Sequence, residues 1–152
     1  MYYVSDLQIV LGCAPMFYLG HPKAMYDMHI RGVVNMCSEY SGPESAYKEL
    51  GIKQLRLPSV DHYEPDFRYM QDAVKFIEEH KKRNEKVYIH CKAGHGRAAS
   101  IALCWLIHIH RDRTAEVSDE DDDDVIVVVV PPSSCRRHLI LIIDFCFLNY
   151  RN

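Results

Sequence analysis

Between residues 64 and 83, "EPDFRYMQDAVKFIEEHKKR", apolar side chains recur at Phe67, Met70, Val74 and Ile77. That is the spacing of one helix face, with Pro65 suited to a first turn and basic residues gathered at the far end. Other segments read at a different period. "LQIVLG" (7–12) and "MFYLG" (16–20) are short apolar runs ended by glycine, and both predict strands. "RGVVNMCSE" (31–39) predicts another strand, "SGP" (41–43) a turn, and "IKQLRLPS" (52–59) an alternating strand that breaks at Pro58. "HPKAMYDMHI" predicts a short helix with Pro22 in its first turn. "KVYIHC" predicts a buried strand, and "RAASIALCWLIHIH" an apolar helix leading out of a glycine loop. Strands alternating with helices predict an α/β fold in layers, a central, mostly parallel sheet flanked by helices.

Past Arg113 the pattern changes. An acidic block containing DDDD, a valine block, a Pro-Pro-Ser-Ser turn and an isoleucine/leucine run follow one another to the end of the chain. Homopolymer-like blocks are uncharacteristic of a specific core, and self-repulsion predicts disorder over 119–124. The expected division is one folded unit over 1–113 and an atypical tail over 114–152. The tail's apolar runs either extend the fold or stand outside it.

Length and composition fit one globular domain: 152 residues, 48% hydrophobic and 26% charged. The net charge of -3 gives no sign of a nucleic-acid binder, and it is unevenly spread. Residues 112–124 hold eight acids and one Arg, about -7, while residues 1–111 sum to about +2, a bias suited to an anionic ligand. Six cysteines without C-x-x-C pairs argue against a disulfide framework and for a reducing, intracellular compartment. No signal-peptide run is visible, and the apolar stretches 101–109 and 139–148 are too short to cross a bilayer.

The chemistry concentrates in "VYIHCKAGHGRAAS" (87–100). A glycine-bearing loop between a strand and a helix turns backbone N–H groups toward one point, and the helix start adds its own. Lys92, Ala93, Gly94, His95, Gly96 and Arg97 therefore form an expected cradle for a phosphate-sized anion. Arg97 offers a two-pronged guanidinium. Cys91 enters the cradle from the strand end, where the same field favours a thiolate nucleophile. Attack on a bound phosphate ester gives a phosphocysteine, with the cradle clamping the transferring group. His90 is expected to hold the loop through a backbone hydrogen bond. A general acid is sought in "SVDHYEPDF": Asp61, following a strand, is preferred, with Asp66 and His62 in reserve. Lys92 and His95 either widen a positive rim or face solvent. Tyr63 stands beside the proposed acid. Cys104 and Trp105 read as core, and His108 and His110 as a poor metal pair.

"IHCKAGHGRAAS" resembles the His-Cys-(five residues)-Arg loop of the cysteine-dependent tyrosine and dual-specificity phosphatases, and Asp61 stands where that family usually has its acid. With "GVVNMCSEY" and "LPSVD", the wording resembles the small branch that includes the mitochondrial phosphatase acting on phosphatidylglycerophosphate. The likeness covers about residues 5–112. It implies the dual-specificity phosphatase fold and a metal-independent phosphomonoesterase without a cofactor. Substrates implied are phosphotyrosine, phosphoserine, phosphothreonine or a lipid headgroup, with peripheral membrane contact left open and a mitochondrial location suggested by likeness alone. Two departures stand out. The family usually has Ser or Thr after the Arg, where this chain has Ala98, which predicts a slower second step. The tail also replaces the family's closing helices, so the C-terminal part of the fold is expected to be incomplete. The alternative reading is a phosphate-binding pseudophosphatase or interaction module.

Overall fold

Val87 and Ile89 point to one side of their strand and Tyr88 to the other, and all three are buried. A strand apolar on both faces must lie inside a sheet covered on both sides. The structure, a computed structural model, describes residues 2–3, 8–61, 63, 65–94 and 96–110. Its strands are β1 (Tyr2–Tyr3), β2 (Ile9–Gly12), β3 (Ile30–Cys37), β4 (Lys53–Ser59) and β5 (Lys86–His90). They form one sheet in the order β1-β2-β5-β3-β4, with β1 antiparallel and the rest parallel. The helices are α1 (His21–Asp27), α2 (Glu44–Glu49), α3 (Phe67–Lys82) and α4 (Gly96–His110).

Two apolar clusters cover the two faces. On one, Met70, Ala73, Val74 and Ile77 of α3 and Ala98, Ile101 and Trp105 of α4 pack on Val34, Met36, Val87 and Ile89. On the other, Met25 of α1 and Tyr47 of α2 pack on Val10, Ile30, Val33 and Tyr88. The layered α/β fold is therefore as the sequence pattern predicts. Cys104 and Trp105 lie in the core, and His108 pairs with Glu78 of α3 at 2.8 Å.

Several local expectations differ from the structure. Residues 16–20 do not form a strand: Phe17–Leu19 make a 3-10 turn, closed by Gly20 at φ 70°. None of its three side chains is buried, so no half-buried pleat exists to stabilise a strand there. Helix α2 gives no periodic signal because its six residues bury only Ala46 and Tyr47. Pro58 does not end β4, which runs on to Ser59. Since β4 is the terminal strand of the order, proline's missing N–H is tolerated. Pro65 lies ahead of α3 rather than in its first turn, and Asp66 caps the helix by accepting from the Arg68 N–H at 2.8 Å. The expected boundary after Arg113, the acidic and valine blocks, the final apolar run, and His62, Glu64 and His95 lie outside the described residues.

Candidate active site

Parallel strands carry their following loops to one edge of the sheet, and four loops meet there. Gly12 of β2 and Asn35 of β3 are both level with His90 of β5, and Cys37 of β3 is level with Ser59 of β4. Because β5 and β3 are interior to the order, the loops that follow them occupy the centre of this edge. Those loops begin at Cys91 and at Ser38. The loops after β2 and β4 flank them. This is the carboxyl edge at which ligands of open α/β sheets bind.

Cys91 sits directly after β5, and Gly96 opens α4 five residues later. The intervening turn is drawn close to the loop after β2. The Ala14 N–H donates to the Lys92 carbonyl at 3.2 Å. Gly94, at φ 79°, packs so tightly that a Cβ there would lie 2.5 Å from the Gly12 carbonyl carbon. Only glycine fits both that backbone angle and that approach. Lys92 and Ala93 are exposed, whereas Cys91 and Arg97 are each only 4% exposed.

Arg97 is held from several directions. Its Nη2 donates to Glu39 Oε1 at 2.9 Å and its Nη1 to Glu39 Oε2 at 3.1 Å, a two-pronged pair. Nη1 also donates to the Ser59 carbonyl at 2.8 Å, and Nη2 lies 3.3 Å from Asp61 Oδ1. The guanidinium thus ties together the loops after β3, β4 and β5. Its buried Nε has no hydrogen-bond partner among the described residues. An unmatched buried donor is costly and is commonly explained by an absent partner.

Charge follows from these contacts. The hydrogen bonds from Arg97 hold the Glu39 carboxyl well below its ordinary value, at about 2, and in return Glu39 raises Arg97. Burial, reinforced by the Glu39 charge, pushes the Cys37 thiol up to about 11. Cys37 stays protonated although it adjoins the site. Burial, with Arg97 adding to it, lowers His90 to about 4, so its imidazole is neutral at pH 7. His90 Nδ1 donates to the Cys91 carbonyl at 3.3 Å, the loop-holding bond expected from its position.

Of the residues singled out in the sequence, Cys91, Arg97 and Asp61 converge at this edge, and His90 lies beneath them. Asp66 is taken up by its cap. Ala98 is fully buried in the core, and the Ser100 hydroxyl donates to the Arg97 and Gly96 carbonyls at 2.8 and 3.2 Å. Ser100 is therefore spent on the first turn of α4 and does not stand in for a hydroxyl at position 98.

Glu39 is the residue that sequence reasoning missed. It is the last residue of a predicted strand, as Cys91 is, and that shared position is its one legible signal. Its loop is pinned by buried Asn35, which accepts from the Cys37 N–H and donates to the Tyr40 carbonyl, both at 2.9 Å. Tyr40 in turn donates to the Pro15 carbonyl at 2.5 Å and meets His90 edge-on, with ring centroids 6.4 Å apart.

A comparison with known families decides what this arrangement belongs to. The profile of the dual specificity phosphatase catalytic domain matches residues 16–119. The chain belongs to the dual-specificity phosphatase family. It is 33% identical over 116 residues to the human protein named phosphatidylglycerophosphatase and protein-tyrosine phosphatase 1, a match covering 72% of this chain and 57% of that one. The chain thus spans less than two thirds of that relative's length. Among solved structures, it is similar to PTPMT1, with a TM-score of 0.65 and 30% identity over 73% of this chain and 74% of that one. A second structure, PTPMT1 in complex with PI(5)P, gives a TM-score of 0.64 and 29% identity over 72% and 73% of the two chains.

Proposed function

We propose that this dual-specificity phosphatase domain hydrolyses phosphomonoesters through a phosphocysteine, with a phosphorylated lipid headgroup as its substrate. The carrying observation is Arg97. It is buried beside the Cys91 loop, fixed by Glu39 and the Ser59 carbonyl, and its buried Nε has no partner among the described residues. A phosphate oxygen is a fitting acceptor for that donor.

In the first step the Cys91 thiolate attacks phosphorus, the S–P bond forms and the ester P–O bond breaks. Asp61 gives its proton to the leaving oxygen. In the second, Asp61 takes a proton from water, water attacks phosphorus, and the S–P bond breaks to release inorganic phosphate and restore the thiolate. Residues 92–97 cradle the phosphoryl oxygens, with Arg97 the cationic member. Residues 1–113 are taken as the catalytic unit.

The lipid class is supported by the relative whose name includes phosphatidylglycerophosphatase and by the PTPMT1 structure bound to PI(5)P. The same relative's name includes protein-tyrosine phosphatase, so phosphopeptides are the proper comparison substrate. The mitochondrial location implied by the sequence resemblance belongs to this proposal and is checked by fractionation.

The test is hydrolysis of a small aryl phosphate against pH by the full chain, beside Cys91→Ser and Asp61→Asn variants. The proposal expects no turnover without Cys91 and loss of the basic limb of the profile without Asp61. Phosphatidylglycerophosphate is expected to be hydrolysed faster than a phosphotyrosine peptide. A folded chain that binds phosphate analogues without turnover is instead a binding module, a reading that Ala98 favours.

A further inference from the structure

The large apolar side chains left exposed among the described residues are not scattered. They are Phe17, Tyr18, Leu19, Tyr26, Val60 and Tyr63. Tyr26 is covered on one face by the Arg31 guanidinium, 3.7 Å from its ring centre. The other five occupy two loops. Phe17, Tyr18 and Leu19, at 67, 78 and 60% exposure, follow β2, while Val60 and Tyr63, at 59 and 73%, follow β4.

These are the two loops that flank the candidate site. Strand order puts β5 and β3 between β2 and β4, three strand spacings or roughly 14 Å across. The Cys91 loop and Glu39 therefore lie between the two apolar groups. Contacts agree with this: the Ala14 N–H, three residues before Phe17, donates to the Lys92 carbonyl, and the Asp61 side chain, beside Val60, pairs with Arg97.

We propose that this edge of the sheet docks onto an anionic lipid bilayer. The Phe17–Leu19 turn and the Val60/Tyr63 loop enter the headgroup region, and the phosphate cradle opens onto the surface between them. The proposal rests on the lipid reading of the substrate given above. Singly exposed apolar residues are normal, but apolar groups clustered on two sides of a polar mouth are not. The two groups are separated by that mouth rather than joined in one groove, which suits a fluid surface better than a bound peptide segment. Tyrosine and phenylalanine are residues that settle at the membrane interface, with ring bodies in the apolar layer. Lys92, exposed in the loop between the two groups, is a cation within the mouth that an anionic headgroup can meet.

The test uses the full chain and tryptophan reporters, since Trp105 is buried and gives a constant background. Tyr18→Trp, Tyr63→Trp and, as a control away from the mouth, Tyr26→Trp are titrated with vesicles of phosphatidylcholine and phosphatidylglycerol. Neither lipid carries a phosphomonoester. The expected result is a blue shift at positions 18 and 63 and none at 26, with vesicle affinity lowered about tenfold or more by Phe17→Ser with Leu19→Ser. Bound vesicles without a shift at either flank overturn the proposal. So does a shift produced by a phosphotyrosine peptide but not by vesicles, or by rising protein concentration alone. Hydrolysis of phosphatidylglycerophosphate in detergent micelles, measured in parallel, separates the two claims. Shifts without lipid hydrolysis leave the surface standing and remove the substrate reading. Hydrolysis without shifts does the reverse.

Discussion

The carboxylate of Glu39 spans both terminal nitrogens of Arg97, at 2.9 and 3.1 Å, across 58 residues of chain. An arginine gripped in this way presents its remaining edge in a fixed direction. The orientation of the proposed phosphate ligand thus depends on a residue that need not touch substrate.

Glu39→Gln keeps the size of the side chain and removes the charge. The variant is expected to lose about 10²-fold in kcat/KM for an aryl phosphate, since a cationic clamp displaced by a fraction of an ångström aligns the ester poorly. Steady-state kinetics check this, and Glu39→Asp is expected to fall between the two.

His90 makes stability depend on pH. In the unfolded chain it protonates near its ordinary 6.5, whereas burial lowers it to about 4 in the fold. Between those values the unfolded state holds the extra proton, so stability is full above 6.5, falls as pH drops, and levels off below about 4. The loss between about pH 7.5 and about pH 5 is on the order of 2 kcal/mol. Glu39 does not blur this window, because its carboxyl titrates between 4.5 unfolded and about 2 folded. Urea unfolding at the two pH values measures the slope, and His90→Asn is expected to abolish most of it.

Gly94→Ala combines a left-handed backbone angle with a Cβ set 2.5 Å from backbone. Backbone cannot give way as a flexible side chain can. The expected cost is about 1–3 kcal/mol of stability, with phosphate affinity lost as the loop moves. Thermal melts with and without inorganic phosphate separate the two effects.

Ala98→Ser restores the hydroxyl that resembling phosphatases carry after the loop arginine. If that hydroxyl helps phosphate leave Cys91, steady-state turnover rises while the initial burst is unchanged. A hydrogen bond to a charged group is worth ~1.5–3 kcal/mol, which corresponds to about tenfold or more in rate. Rapid-mixing kinetics with an aryl phosphate read both phases.

The sequence carries the frame of this protein more openly than it carries the full site. Helix α3 is legible because Met70, Val74 and Ile77 repeat at its period, and β5 because Val87, Tyr88 and Ile89 are all apolar. Cys91, Arg97 and Asp61 are legible because their types and order carry a chemical meaning. Glu39 is not, since its partner is distant in sequence and its placement depends on strand order and on Asn35, neither of which leaves a local pattern. The turn at Phe17–Leu19 misleads for a related reason. Its apolar residues face outward, and local apolarity by itself does not say which way a side chain points.

The central claim is that Cys91 takes up the phosphoryl group. Acid quenching of the full chain within the first turnover of an aryl phosphate, followed by mass analysis of the peptide containing residues 87–97, tests it most directly. The account predicts a phosphoryl adduct on Cys91 that appears with the burst, decays more quickly in Ala98→Ser, and never forms in Cys91→Ser. Hydrolysis that proceeds with no adduct, or that persists in Cys91→Ser, contradicts it.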